Sequence, residues 1–160
     1  MFKHSGIVLG FLALMTAACQ HNTVYESFRV FEDGQWIADS VLVFDFTIDD
    51  NAQPYQLNYH VRNTIDYPFY NLYVKYELQD STGKILEASM HETTLMDPMT
   101  GRPLGEGIGD FYNHDITLKP EHRFPYNGKY QFQIKQYMRP DTLLQIHAVG
   151  FSVQNSAQAN

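Results

Sequence analysis

Hydrophobic and polar residues alternate along most of the chain beyond residue 24, and the period is two. In residues 41–49, Leu42, Phe44, Phe46 and Ile48 fall on one side while Val43, Asp45 and Thr47 fall on the other. A helix repeats every 3.6 residues and cannot keep that pattern on one face, so the stretch is a strand with one buried side. The same alternation runs through residues 55–63 (Tyr55, Leu57, Tyr59 and Val61 inward) and 69–79 (Leu72, Val74, Tyr76 and Leu78 inward). It returns in residues 129–139, with Tyr130, Phe132, Ile134 and Met138 on one side. Residues 24–32, 35–38, 84–94 and 111–119 are further extended runs, the third of ambiguous phase. Near the C-terminus Leu144, Ile146 and Ala148 share one parity, and Val149, Phe151 and Val153 take the other. That switch needs a bulge or a change of sheet, and Gly150 stands at the expected break.

Turn chemistry divides these runs. Asp33-Gly34 predicts a hairpin between residues 24–32 and 35–38, and residues 80–83 predict a second. Residues 49–54 form a turn cluster. Asp66-Tyr67-Pro68 interrupts the next run, because proline cannot donate to a sheet ladder. Residues 96–109 hold two prolines and four glycines and are the one long loop. No stretch of ten residues carries a helical stripe. The expected fold is therefore all-β: an antiparallel β-sandwich, immunoglobulin-like or jelly-roll-like, of eight or nine strands over residues 24–154. Residues 155–160 are expected to be a disordered tail.

The N-terminus has a different pattern. Lys3 and His4 precede an uncharged apolar run over residues 6–15, and Thr16, Ala17 and Ala18 then lead to Cys19, the only cysteine. This is the layout of a secretory signal with a small-residue cleavage site, its apolar run of about ten residues falling short of the roughly 20 that span a bilayer. A cysteine directly after the small residues is the pattern of a bacterial lipoprotein signal, in which the thiol is acylated and becomes the first mature residue. Residues 1–18 are thus a lipoprotein signal peptide and residues 19–23 a lipidated tether. Ordinary cleavage, leaving a soluble protein with a free thiol, is the alternative.

Removing residues 1–18 from the 160 leaves 142, the size of one domain, with no partner for a disulfide. The net charge of −7 becomes −8 when Lys3 is lost. An acidic chain without a basic run has no electrostatic footprint for nucleic acid, and acyl chains rather than charge must hold it on a bilayer. The eleven Tyr and eleven Phe suit pleated, half-buried surfaces.

Candidate chemistry is sparse. The histidines left after the signal, His21, His60, His91, His114, His122 and His147, show no zinc spacing. The glycine-rich loop lacks both the Gly-Lys-Ser/Thr phosphate cradle and the calcium-loop pattern. Asp97, Glu106, Asp110 and Asp115 lie near one another in sequence, so a carboxylate or cation site is conceivable there. Its plain alternative is a loop that folds back, with Asp110 at a turn. No serine sits in a nucleophile elbow. No cofactor, metal or catalytic residue is expected. Tyr67, Tyr70, Tyr73 and Tyr137 would suit sugar stacking on a concave face, although single aromatics on strands more often form cross-strand pairs.

Certain residues in order carry a family likeness. They are the lipoprotein start, Arg62-Asn63-Thr64, Asp66-Tyr67-Pro68, Asn71-Leu72-Tyr73, then Gly105, Gly107, Gly109 and Asp110. Arg123-Phe124-Pro125, Gly128-Lys129-Tyr130, Gln136, Met138-Arg139 and Val149-Gly150 complete it. With these the chain resembles the gliding-motility lipoprotein GldH family of Bacteroidetes. The resemblance implies a non-enzymatic, lipid-anchored accessory component of the motility and type IX secretion machinery, with an envelope protein complex as partner. Gln20-His21-Asn22-Thr23 after the cysteine lacks the acidic cluster that surface-exported lipoproteins of this phylum tend to carry, which implies an envelope membrane with the domain facing the periplasm, the outer membrane being the one expected. The expected interaction surface is the 96–110 loop with the adjoining turn: Asp66, Tyr67, Asp97, Arg102, Glu106 and Asp110. A glycan-binding β-sandwich lipoprotein is the alternative.

Overall fold

The alternating segments bury their apolar sides against one another, and the computed structural model describes residues 22–156. Residues 1–21, which include the expected signal peptide and Cys19, and residues 157–160 lie outside the described residues. The strands are Thr23–Val30 (β1), Gln35–Ile37 (β2), Leu42–Ile48 (β3), Tyr55–Thr64 (β4), Asn71–Asp80 (β5) and Ile85–Thr94 (β6). Glu106–Ile108 (β7), Phe111–His122 (β8), Gly128–Gln136 (β9), Thr142–Leu144 (β10) and Ile146–Asn155 (β11) follow. The count is eleven among the described residues, not eight or nine. The surplus comes from β7 and β10, two three-residue segments too short to show a period but able to find a partner edge.

Two antiparallel sheets form the sandwich, one ordered β1-β11-β4-β8-β7 and the other β3-β9-β5-β6. A separate ribbon pairs β10 with β2 and brings Trp36 and Leu143, both fully buried, into the core. Asp33-Gly34 does turn the chain, with Gly34 at φ 65°, but β1 pairs β11 and β2 pairs β10. No hairpin forms there; the turn hands the chain from the five-stranded sheet to the ribbon. The second expected hairpin is present: β5 and β6 pair, with Gly83 at φ 81° and the Asp80 carboxylate accepting bonds from Thr82 and Lys84.

The parity switch of β11 is also placed differently. The register shifts between Ile146 and Ala148, so His147 is the extra residue and Gly150 sits in regular ladder opposite His60. Gly150 is needed for another reason: a Cβ there would strike the Phe28 ring lying across the sheet. The ambiguous phase of β6 has a physical cause as well. Its inward positions are Glu87, Ser89, His91 and Thr93, paired with Leu78, Tyr76, Val74 and Leu72. At that open edge polar groups replace the core, and Glu87 accepts from Tyr76 Oη (2.7 Å) and meets Lys119 Nζ (2.8 Å). The opposite edge is closed by Arg29, which donates to the Val43 carbonyl (2.5 Å) and lies over the Phe44 ring.

Between the sheets lies an aromatic core. Phe132 of β9 and Phe151 of β11 stack with centroids 4.0 Å apart at 9°, surrounded by Phe44, Phe46 and Tyr76. Phe124 plugs one end against Tyr55, Tyr130 and Phe46. Burying a phenylalanine contributes about 1.5–3 kcal/mol, and truncating one also leaves a cavity. Phe151→Ala is therefore expected to cost about 3–5 kcal/mol in urea unfolding. Met99→Ala, at a side chain 94% exposed, is expected to stay within about 0.5 kcal/mol of the parent.

Candidate functional site

The expected loop is more ordered than its glycines suggest. Asp97 organises its start: the carboxylate accepts the N–H groups of Met99 (2.9 Å) and Thr100 (2.8 Å), and its own carbonyl accepts from Gly101 (2.8 Å). Asp97 N–H donates to the Arg102 carbonyl (2.7 Å), and Met96 bridges Pro103. These donors, the Thr100 N–H foremost, hold the Asp97 carboxyl below the ordinary aspartate range. The chain then enters β7, turns at Gly109 (φ 63°) beside the exposed Asp110, and continues as β8. Arg102 and Glu106 are exposed, as is Asp66 in the β4–β5 turn.

Tyr67 does not belong with them. It is only 5% exposed, donates its hydroxyl to the Asn71 carbonyl (2.8 Å) and packs on Phe69, so it pins the turn from beneath. Burial raises its pKa. Its alternation with Pro68 and Asp66 gave no sign of direction, because the segment is not a strand. The four acidic side chains do not converge either: Asp97 serves its own turn and Asp115 binds His60 on the outer face of the five-stranded sheet. Among the described residues, no group of three or more His, Cys, Asp or Glu is placed to hold a metal.

What gathers at the loop end instead is apolar surface. Ile108 and Phe111 are cross-strand neighbours, Phe111 also pairs Thr64, and Ile65 follows directly. Ile65, Leu104, Ile108 and Phe111 are all exposed, and Met99 projects from the Asp97 turn. The expectation named the loop's charges and missed these side chains, since an isolated Ile or Met in a loop carries no period.

A second arrangement was invisible in the sequence. His60 Nδ1 lies 2.6 Å from Asp115 Oδ1, and His60 Nε2 lies 2.8 Å from Ser152 Oγ. The residues come from β4, β8 and β11, separated by 55 and 92 positions. The order matches a Ser-His-Asp relay, but the setting does not suit one. Ser152 is fully buried in mid-ladder, paired with Glu26 on one side and Asn58 on the other. Its hydroxyl is not presented to a substrate, and Phe28 lies against His60 with ring centroids 5.4 Å apart. The trio ties three strands together.

On the outer face of the four-stranded sheet, Tyr73 and Tyr137 are neighbours through the Tyr137 N–H to Tyr73 carbonyl bond (2.8 Å), with Tyr70 exposed nearby in sequence. Beside them runs an open groove of about 520 Å³ lined by Val41, Lys75, Glu77, Met90, Gln133 and Lys135, among others. A third feature is buried: Gly105 passes over the His114 ring, where a Cβ would collide, and His114 Nε2 has no hydrogen-bond partner.

Comparison with known proteins adds the following. The GldH lipoprotein family matches residues 23–153. The chain is 28% identical over 153 residues to the gliding motility lipoprotein GldH homolog of Christiangramia forsetii, covering 91% of this chain and 92% of that protein. It is also 28% identical over 159 residues to the gliding motility lipoprotein GldH of Flavobacterium johnsoniae, covering 95% and 96%. Among solved structures, infectious bursal disease virus VP2 matches at a TM-score of 0.40 and 11% identity, over 84% of this chain and 33% of that one, too distant to bear on function.

Burial also lowers the pKa of His114 and His122 from the usual 6.5, disfavouring the charged imidazolium in the fold. Below pH 6.5 the unfolded chain then binds protons that the folded chain does not, so stability is full above that pH and falls beneath it. The slope is at most about 1.4 kcal/mol per pH unit for each histidine. The urea midpoint should drop between pH 7 and pH 5, and the drop should shrink in His114→Gln. An equal drop in that variant would assign the effect to other groups.

Proposed function

The chain belongs to the GldH lipoprotein family, and on that premise we propose that it is a non-enzymatic accessory component of the motility and type IX secretion machinery. As a member of a lipoprotein family it is a lipid-anchored protein of the cell envelope. Acylated Cys19 is the anchor in this proposal, and the outer membrane with the domain facing the periplasm is its setting.

The observation that carries an interaction role is the exposed apolar group at the loop end. Scattered surface hydrophobics are ordinary, but here Ile65, Leu104, Ile108 and Phe111 share one end of the sandwich with Met99. Such a group, rimmed by Asp66, Arg102, Glu106 and Asp110, has the make-up of a protein contact: an apolar centre with a polar rim. Strand direction supports the same reading. Thr23, where the tether enters, pairs with Gln154, while Val30 at the other end of β1 pairs with Ala148, toward the Ile146–Asn63 and Thr64–Phe111 pairs. The loop is thus at the end away from the tether.

Two experiments test this. In the first, Ile65→Glu with Ile108→Glu should abolish co-purification with motility or secretion components and reduce gliding or secretion in the source organism. The melting temperature should stay near that of the parent, since both sites are exposed. Retained binding with both charges in place would count against the loop end. In the second, radioactive palmitate should label the wild-type protein and not Cys19→Ala; label persisting in the variant would remove Cys19 as the anchor.

A further inference from the structure

Lys75 of β5 and Lys135 of β9 stand directly opposite each other on the outer face of the four-stranded sheet. Like charges in that position repel and weaken a strand pair. No carboxylate lies within ion-pair distance of either among the described residues. Lys75 is instead held with its ammonium 3.7 Å from the centroid of the Tyr137 ring, a cation–π contact that fixes its position and leaves its charge uncompensated. The protein as a whole is acidic, at −7. Two lysines opposite each other in the ladder, neither with an ion-pair partner, are a local inversion of charge in such a chain, and both line the groove.

The rest of the groove has a different character. One step along the sheet, Glu77 faces Gln133 across the same two strands. Gln133 donates its amide to Gln131 Oε1 (2.6 Å), and Glu77 Oε2 accepts from Gln79 (3.0 Å), which sets both side chains in place with further acceptor capacity. Carboxylate and amide oxygens so fixed are acceptors for hydroxyl groups. Val41 and Met90, 44% and 52% exposed, supply apolar flanks. Glu77 also repels a ligand that is anionic throughout, so the negative group must be confined to the lysine end.

We propose that this groove binds an anionic saccharide, with its carboxylate or phosphate on Lys75 and Lys135 and its hydroxyls on Glu77 and Gln133. Val41 and Met90 contact the C–H face of the sugar ring. A volume of about 520 Å³ accommodates one or two sugar rings. The surface is separate from the loop end, so this site stands or falls independently of the contact proposed there.

The test is isothermal titration calorimetry on the full lipoprotein in detergent micelles. The probes are digalacturonic acid, glucose 6-phosphate, maltose, inorganic phosphate and triglutamate. Binding of digalacturonic acid or glucose 6-phosphate, weakened at least tenfold in Lys75→Gln/Lys135→Gln and several-fold in Gln133→Ala, supports the proposal. Which of the two binds tells carboxylate from phosphate. The double lysine variant should melt near the parent temperature, since it removes both a repulsion and the Lys75–Tyr137 contact. Equal binding of maltose overturns the anionic requirement, and equal binding of triglutamate replaces the saccharide by an acidic peptide. Binding of inorganic phosphate alone, no binding of any probe, or binding unchanged in the double lysine variant also overturns it.

Discussion

The contact between Phe132 and Phe151 is the interaction on which the rest depends. It joins β9 to β11, each of which carries pairing partners on both sides, and it does so face to face at 4.0 Å. The described residues contain no cysteine, so no disulfide among them joins one sheet to the other. Ring contacts that cross the gap, Phe44 and Phe46 on Phe151 and Tyr25 on Phe46, therefore supply cohesion that disulfides provide in many exported sandwiches. Large rigid rings lose little rotamer freedom on burial, which suits a core that joins two sheets mainly by packing.

With cohesion concentrated between the sheets, the two outer faces are free to differ. On the five-stranded sheet the polar groups satisfy each other: His60 with Asp115 and Ser152, Gln56 with Asn58 and Thr117, Arg62 with Asn113. That network is closed and Phe28 covers part of it. On the four-stranded sheet the amides form short chains from Gln133 through Gln131 to Asp45, but Lys75 and Lys135 are left facing each other. One face is chemically finished and the other is not. The contrast separates a polar cluster that serves the fold from one that has capacity for something else.

Much of this was readable in the sequence, and the reason is local. β3, β4, β5 and β9 each bury one face fully, so period two survives intact from Leu42 to Ile48 and from Tyr130 to Ile134. Where a strand lies at an open edge the signal fades, and β6 turns Glu87 and His91 inward because little core faces it. Asp33-Gly34 specifies a turn but not what its flanking strands pair with, which depends on β10 and β11 more than a hundred residues later. The bulge fell at His147, not Gly150, because a glycine marks close approach as readily as irregularity, and at Gly150 the approach is by Phe28. The site followed the same division. Asp66, Arg102, Glu106 and Asp110 are exposed as their loop setting suggests, while Tyr67 is pulled under the turn by the Asn71 carbonyl, which no local pattern announces.

The direction of β1 adds a constraint that neither surface supplies alone. The expected tether of four residues would reach at most about 14 Å, and β1 runs about 26 Å at roughly 3.3 Å per residue before the chain arrives at the loop end. An anchor at Cys19 would thus set the apolar group of Ile65, Ile108 and Phe111 roughly a strand length beyond the membrane-proximal end. A partner touching it must itself project from the membrane or come from the other side of the space. The lysine groove lies along the flank, midway down β5 and toward the C-terminal end of β9, and is reachable without passing the loop end. The two surfaces differ in direction as well as chemistry, so occupancy of one leaves the other open.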